Sequence, residues 1–81
     1  MTFGEAVEKM KSGMQVARQG WNGKGMYVYL ITSCTWQRQG SIWIGEPCIV
    51  MHTAVGVEQP GWLASQADML AEDWKSYEEN S

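Results

Sequence analysis

Apolar residues recur at helical spacing near the start of the chain. They fall on one face of a helix, at Phe3, Ala6, Val7 and Met10. Thr2 precedes this stretch as an N-cap, and Glu5 stands three residues later, where it completes a capping box. Gly13 supplies a helix stop. The pattern predicts an N-terminal helix with one apolar face on the core.

The spacing of apolar residues changes to two after Met14. Residues 14–18 read MQVAR and residues 26–32 read MYVYLIT, with Asn22-Gly23 between them. This dipeptide is typical of a two-residue type I′ hairpin turn, because both central positions need positive φ. We therefore expect two antiparallel neighbouring strands.

The second of these strands is apolar on both faces. One face would carry Met26, Val28 and Leu30, and the other Tyr27, Tyr29 and Ile31. One face can pack on the helix, whereas the other needs a partner.

The rest of the chain contains shorter signals. Residues 41–44, SIWI, predict a short strand between loops, and residues 48–53, CIVMHT, predict another strand that ends at a turn over residues 54–61. Ser65 is a candidate N-cap with Asp68 at the capping-box position. A helix after it would align Ala67, Leu70, Ala71 and Trp74, although the last residues could instead form a closing strand.

These elements predict an α+β fold in one domain. The expected architecture is an N-terminal helix packed on an antiparallel sheet of about four strands, with a short helix near the C-terminus. Residues 1–81 would form a single domain, with residues 78–81 frayed. So small a domain has a thin core, yet it carries five tryptophans and six methionines. We therefore expect a homo-oligomer that hides apolar surface between subunits.

Charge and cysteine content exclude several functions. The net charge is -3, with the acidic residues concentrated near the C-terminal end, which argues against nucleic acid as a partner but permits a small anion in one pocket. Cys34, Cys48 and His52 do not have the spacing of a zinc site. Neither a signal peptide nor a membrane span is visible, so we expect a cytosolic protein with reduced thiols.

Residues 20–25, GWNGKG, are the main candidate for binding chemistry. Backbone N–H groups, the cation of Lys24 and the aromatic face of Trp21 are the components that hold a nucleotide's phosphate and base. The segment matches neither a Walker motif nor a dinucleotide fingerprint. From the residues alone, a plain hairpin turn with a packed Trp21 and a solvated Lys24 stays open.

Catalytic candidates are weak. His52 lies in a strand pattern without a recognisable nucleophile, so we interpret it as structural or as a surface residue. Asp68, Glu72 and Asp73 could form a carboxylate cluster, but acids at a helix start usually cap and solvate the helix. Asp68 stays a site candidate because it lies among amides and aromatic residues.

Three segments together resemble a family of phage proteins, the Thoeris anti-defence protein two family. They are GWNGKGMYVYL (20–30), PCIVMHTAVG (47–56) and GWLASQADMLAEDW (61–74). The resemblance implies a homotetramer in the cytoplasm of the infected bacterium. It would bind the cyclic ADP-ribose derivative made by a TIR-domain enzyme, without catalysis or cofactor, so that the immune effector receives no signal. The alternatives are an enzyme that degrades the same signal and a small structural or protein-interaction module.

The resemblance also implies the pocket residues. Carried over by position, the ligand-binding candidates are Trp21, Asn22, Gly23, Lys24, Gly25, Met26, Trp62, Ser65, Gln66 and Asp68. Tyr27 is added to them as a second aromatic ring for a base. An adenine would stack on Trp21 or Tyr27, and the diphosphate would lie on the glycine turn near Lys24. Ribose hydroxyls would bond to Asn22, Gln66 or Asp68.

Two departures from the family pattern bear on the ligand. His52 and Val55 stand where the family has a lysine and an aspartate, and the segment between Thr32 and Pro47 is short. If that segment forms a wall of the pocket, another cyclic nucleotide could be preferred.

Overall fold

The computed structural model describes residues 1–21 and 23–77, and for Cys34 and Trp36 it describes the backbone only. The expectations for Asn22 and for residues 78–81 therefore lie outside the described residues. The elements, in chain order, are α1 (Phe3–Lys11), β1 (Val16–Arg18), β2 (Tyr27–Ile31), β3 (Cys34–Arg38), β4 (Ser41–Gly45), β5 (Cys48–His52), β6 (Glu58–Pro60), α2 (Gln66–Leu70) and β7 (Trp74–Ser76). The predicted α+β class is confirmed.

Helix α1 begins and ends as its sequence predicts. The Glu5 amide donates to Thr2 Oγ1 over 3.2 Å, and the Thr2 amide donates to Glu5 Oε1 over 2.9 Å, which completes the capping box. Gly13 follows the C-cap with φ of 97°, a conformation that favours glycine. Ala6 and Met10 are buried, so this helix turns its apolar stripe toward the sheet.

Five antiparallel strands form the main sheet in the order β6-β5-β2-β1-β7. β1 and β2 are neighbours as predicted, with Val16 opposite Val28. The prediction that only two residues connect them is wrong, because β1 ends at Arg18 and β2 begins at Tyr27, whereas the conformation predicted at Asn22 lies outside the described residues. The Gln19 amide donates to the main-chain oxygen of Asp73, and the Gly20 amide donates to Asp73 Oδ2. These bonds draw the chain away from β2.

The core lies between α1 and one face of this sheet. Its buried members are Ala6, Met10, Val16, Val28, Met51 and Trp74, and the partly buried Met26 and Leu30 pack against them. The opposite face of β2 carries Tyr27, whose ring stacks on His52 and on Tyr77 at 4.6 Å between centroids. Both faces of β2 are therefore apolar or aromatic, as its alternation predicts.

Strands β3 and β4 form a separate two-stranded sheet, which we call the arm (residues 34–45). The predicted strand at SIWI is confirmed, but the prediction of flanking loops is wrong for Cys34–Arg38. Gln39 and Gly40 have φ of 52° and 80°, so this pair makes the tight turn of the arm. Three consecutive apolar side chains of the arm are exposed, by 64% at Ile42, 53% at Trp43 and 78% at Ile44.

The C-terminal third differs from the prediction in two places. β6 lies inside the stretch predicted as a turn, and it pairs with β5 so that Pro60 stands opposite Val50 at the edge of the sheet. Helix α2 is capped by Ser65 as predicted, but it ends at Leu70, and Trp74 belongs to β7. The closing strand is therefore the alternative that forms. It pairs with β1 and forms one edge of the sheet, while β6 forms the other. Both edge strands are three residues long.

Candidate functional site

A cavity of about 450 Å³ lies between the glycine-rich segment, residues 20–25, and β7. We call the side of the cavity that this segment forms the glycine-rich wall. Five of the predicted site residues line it: Trp21, Gly23, Lys24, Gly25 and Met26. The remaining lining residues were not predicted: Ala17, Arg18, Gln19, Lys75, Ser76 and Tyr77. Ala17, Arg18 and Gln19 directly precede the glycine-rich segment in the chain. The other three come from β7 and the residue after it, and they reach the site because β7 pairs with β1, where Ala17 stands opposite Lys75. The closing-strand alternative is the only sequence signal for these three.

Two lysines line this cavity, and no described carboxylate forms an ion pair with either of them. Lys24 comes from the glycine-rich segment and Lys75 from β7, and both side chains are exposed. The ion pairs among the described residues involve neither lysine. The cavity can therefore attract an anion although the whole chain carries a net charge of -3.

The glycine-rich wall is closely packed. A Cβ at Gly23 would lie 2.9 Å from the Cβ of Ala54, which is shorter than real Cβ contacts, so the wall can approach the loop after β5 only without a side chain there. Gly25 has φ of 78°, a left-handed conformation in which other residues are strained. Glycine at both positions is therefore required by the shape of the wall.

Trp21 joins this wall to the aromatic part of the core. Its ring meets Trp74 edge-on at 5.4 Å between centroids and Trp62 edge-on at 6.1 Å. The indole Nε1 donates to Asp68 Oδ1 over 3.4 Å. Trp21 is thus half-buried, with packing contacts on the core side and cavity on the other. The stacking of a base on its cavity side stays a prediction.

Arg18 lies at the same wall and holds two carboxylates. Its Nε donates to Asp73 Oδ1 and its Nη1 to Asp68 Oδ1, each over 2.9 Å. The hydrogen bond from Arg18 holds the pKa of Asp73 below its usual range. Partial burial raises the pKa of Asp68, but hydrogen bonds from Arg18 and Ser65 outweigh it, and the net shift is downward. Both aspartates are therefore strongly ionised at neutral pH.

The other predicted site residues that the structure describes do not line this cavity. Trp62 packs edge-on against Trp21 and Trp74, behind the wall. Ser65 and Asp68 bond to each other in the capping box of α2, and Gln66 is exposed on its first turn. Tyr27 is only 9% exposed, and its ring stacks on Tyr77, which itself lines the cavity. A base could reach Tyr27 only if the neighbouring rings moved.

His52 lies on the sheet face beside Tyr27, away from this cavity. Its Nδ1 is hydrogen-bonded to Glu58 Oε1, and its ring stacks on Tyr27. The Tyr29 hydroxyl donates to Glu58 Oε2 over 2.7 Å, and this bond raises the pKa of Tyr29 to about 12. Hydrogen bonds from Tyr29 and His52 lower the pKa of Glu58. These contacts join β2, β5 and the edge strand β6.

A second cavity, of about 760 Å³, lies at the base of the arm. Its described lining residues are mostly small or apolar: Ile31, Ser33, Thr35, Gly45, Glu46, Cys48, Pro60 and Gly61. The only charged group among them is the carboxylate of Glu46, which disfavours an anion. The smaller cavity, with its two lysines, therefore fits an anionic nucleotide better.

Residues 1–21 and 23–77 contain neither a candidate metal site nor a helix that could cross a membrane. Among these residues no group of three or more His, Cys, Asp and Glu side chains is arranged to hold a metal ion. The helices in this part of the chain are all too short or too polar to cross a membrane.

The sequence of the chain matches a known protein family. The family model described as "Tad2-like: Thoeris anti-defense 2-like domain" matches residues 1–77. The protein named "Thoeris anti-defense 2" of Bacillus phage SP01 is 41% identical over an alignment 81 positions long, which covers 91% of each chain. The resemblance carried by the tryptophan and glycine motifs is confirmed.

Proposed function

Because the chain belongs to the Thoeris anti-defense 2-like family, we propose that it protects a phage by binding a signalling nucleotide of the host's Thoeris defence. The nucleotide is a cyclic ADP-ribose derivative made by a TIR-domain enzyme, or a related cyclic nucleotide. Bound to this protein in the cytoplasm of the infected bacterium, it no longer reaches the effector. The protein holds the nucleotide and returns it unchanged.

The observation that carries this proposal is the cavity of about 450 Å³ between the glycine-rich segment and β7. This volume lies within the roughly 300 to 1,000 Å³ of small-molecule sites. Lys24 and Lys75 provide two cations for a diphosphate, and the walls provide the aromatic rings of Trp21 and Tyr77. Cations next to aromatic faces are the combination that binds nucleotides through phosphate and base.

Sequestration fits the described chemistry of this cavity better than hydrolysis. The described lining residues include two lysines and an arginine, but no carboxylate or imidazole that could act as a general base. The carboxylates behind the wall, Asp68 and Asp73, are engaged by Arg18, and their lowered pKa makes them weak bases. A site of this kind binds and orients an anion without activating water.

Assembly into a homotetramer is part of the proposed function. Ile42, Trp43 and Ile44 of the arm are more than half exposed, as are Leu63 and Leu70 near α2. An isolated two-stranded sheet is marginally stable in water, so an arm with bare apolar side chains gains stability when a second subunit covers it. Rigid subunit contacts would also keep the cavities in a binding-competent shape.

A ligand-recovery experiment tests this function. The purified protein is incubated with the cyclic nucleotide product of a TIR-domain enzyme, filtered to remove free nucleotide, and then heat-denatured. We expect the filtrate to be depleted of nucleotide and the denatured sample to release it intact. Release of a hydrolysis product would indicate an enzyme, and an undepleted filtrate would indicate a structural module. The double variant K24A/K75A, which leaves the packed core untouched, is the matched control.

A further inference from the structure

Arg18 connects two carboxylates that each also hold the wall of the cavity. Asp73 accepts from Arg18 Nε through Oδ1 and from the Gly20 amide through Oδ2, each over 2.9 Å. Asp68 Oδ1 accepts from Arg18 Nη1 over 2.9 Å and from Trp21 Nε1 over 3.4 Å. The backbone and the side chain of the wall are therefore both attached to the same ionic network.

We propose that Arg18 is a positioning residue that fixes the glycine-rich wall before ligand arrives. The proposal rests on the proposed function, since it assigns Arg18 a part in shaping the nucleotide site. The guanidinium does this through Asp68 and Asp73, and not by touching the ligand.

Arg18 lines the cavity, but its donors are engaged by the two carboxylates. Two of its nitrogens are committed to different carboxylates, and only 21% of its side chain is exposed. A guanidinium presents several donors in a rigid plane, so it can bridge two carboxylates in a way that a lysine ammonium cannot. Without it, two ionised aspartates would be left with like charge beside the wall.

Gly20 shows how closely the wall approaches this network. A Cβ at this position would lie 2.9 Å from Asp73 Oδ2, the atom that accepts the Gly20 amide. The absence of a side chain is therefore what permits the hydrogen bond. A wall held at Gly20 and at the Trp21 indole loses less conformational entropy on binding than a mobile one.

The test compares Arg18→Gln with Asp73→Asn and with the double variant. Asp73 does not line the cavity, so an effect of Asp73→Asn on binding cannot come from a lost ligand contact. The probe is the cyclic ADP-ribose derivative purified from a TIR-domain enzyme reaction, titrated by calorimetry. Hydrogen exchange of the Gly20 amide and the Trp21 indole is measured by NMR in the ligand-free protein. Lys11→Gln, which breaks the exposed pair with Glu8, is the control.

We expect each single variant to bind about three- to tenfold more weakly, the cost of ordering one or two more groups on binding. The double variant should be no weaker than the worse single variant, because both changes release the same wall. Exchange at Gly20 and Trp21 should accelerate in the variants while the core amides of β2 stay protected. Arg18→Lys should restore binding only in part, because it keeps the charge but not the bridge.

Three outcomes would overturn the proposal. Weaker binding in Arg18→Gln but not in Asp73→Asn would show that Arg18 contacts the ligand directly. Unchanged exchange at Gly20 and Trp21 would show that the network does not hold the wall. Exchange that accelerates equally throughout the sheet would make Arg18 a general stability residue. A parent protein that does not bind the probe would instead refute the proposed function, while the exchange data would still decide whether Arg18 holds the wall.

Discussion

Trp21 has two possible roles whose energies are similar, and replacing it with alanine tests both. On the core side it makes edge-on contacts with Trp74 at 5.4 Å and with Trp62 at 6.1 Å. Each such aromatic pair contributes about 0.5 to 1.5 kcal/mol beyond burial. On the cavity side, a base stacked on an aromatic ring contributes about 1 to 3 kcal/mol by alanine substitution.

For Trp21→Ala we expect both quantities to fall. The free energy of unfolding should drop by roughly 2 to 4 kcal/mol, less than the most severe values for a fully buried tryptophan because Trp21 is only partly buried. The affinity for the cyclic nucleotide should drop by about 1 to 3 kcal/mol, or roughly 5- to 150-fold. Since the two losses overlap in size, a stability measurement or a titration alone cannot separate them.

Trp62→Ala is the matched control. Trp62 belongs to the same aromatic cluster, with edge-on contacts to Trp21 and Trp74, but it does not line the cavity. Trp21→Phe is the second comparison, because phenylalanine keeps an aromatic face and loses the indole donor. Denaturant unfolding, size-exclusion chromatography and calorimetric titration are applied to all three variants.

The stacking role requires a specific order of affinities. Trp21→Phe should stay within a few-fold of the parent, Trp62→Ala should lose little affinity once corrected for its unfolded fraction, and Trp21→Ala should lose most. If Trp21→Ala and Trp62→Ala bind equally well at equal stability, Trp21 is a packing residue and its place in the nucleotide site is refuted.

Four other predictions follow from the site and the sheet. Lys75→Ala should weaken nucleotide binding roughly three- to fivefold at low salt and less at 0.15 M, because an exposed charge is screened, and an affinity loss independent of salt would contradict this. Trp43→Ser should reduce the particle mass in light scattering toward the 9.1 kDa of one chain, and an unchanged tetramer would remove the arm from the interface. Arg18 lowers the pKa of Asp73 below its ordinary value of 3.8. The ion pair between them therefore stabilises the fold above pH 3.8, and this contribution is lost as the pH falls through the lowered pKa of Asp73. The melting temperature should therefore be flat from pH 7 to 5 and fall below about pH 4, less steeply in Asp73→Asn. His52→Gln should leave the removal of nucleotide from solution unchanged at neutral pH. It should lower the melting temperature by about 4 to 8 °C, which corresponds to about 1 kcal/mol in so small a domain. A folded variant that no longer removes nucleotide would place His52 in the site.

Local signals in the sequence predicted the helices well. Both capping boxes, Thr2 with Glu5 and Ser65 with Asp68, involve residues three apart, and they form as predicted. The end of α2 was not predictable in the same way. Ala71 is extended, with ψ of 148°, because the chain must return to the sheet so that Trp74 can enter the core.

Strand pairing was harder to predict because it depends on distant residues. Asn22-Gly23 carries the strongest turn signal, yet Asp73, more than fifty residues away in sequence, binds the amide of Gly20 and holds the connection open. Gln39-Gly40 carries a weaker signal, and it forms the tight turn of the arm. β6 was missed because Pro60 is unfavourable inside a sheet and is tolerated here at the edge.

The candidate site was predicted from one wall only. The glycine-rich segment was identified by its composition and by the family resemblance, and it does line the cavity. Lys75 and Tyr77 were not identified, because their position depends on β7 joining β1 across the sheet. Arg18 was missed for the same reason, since its carboxylate partners lie 50 and 55 residues further along the chain.

The short edges of the five-stranded sheet affect the tendency of this protein to aggregate at high concentration. A protein that removes a small molecule by holding it acts stoichiometrically, so it must be made in excess of the signal. Exposed sheet edges at high concentration invite strand addition between molecules and the growth of fibres. Three-residue edge strands, one of them ending in Pro60, offer little backbone for such growth. The five-stranded sheet therefore limits strand addition between molecules at the high concentration that the proposed sequestration requires.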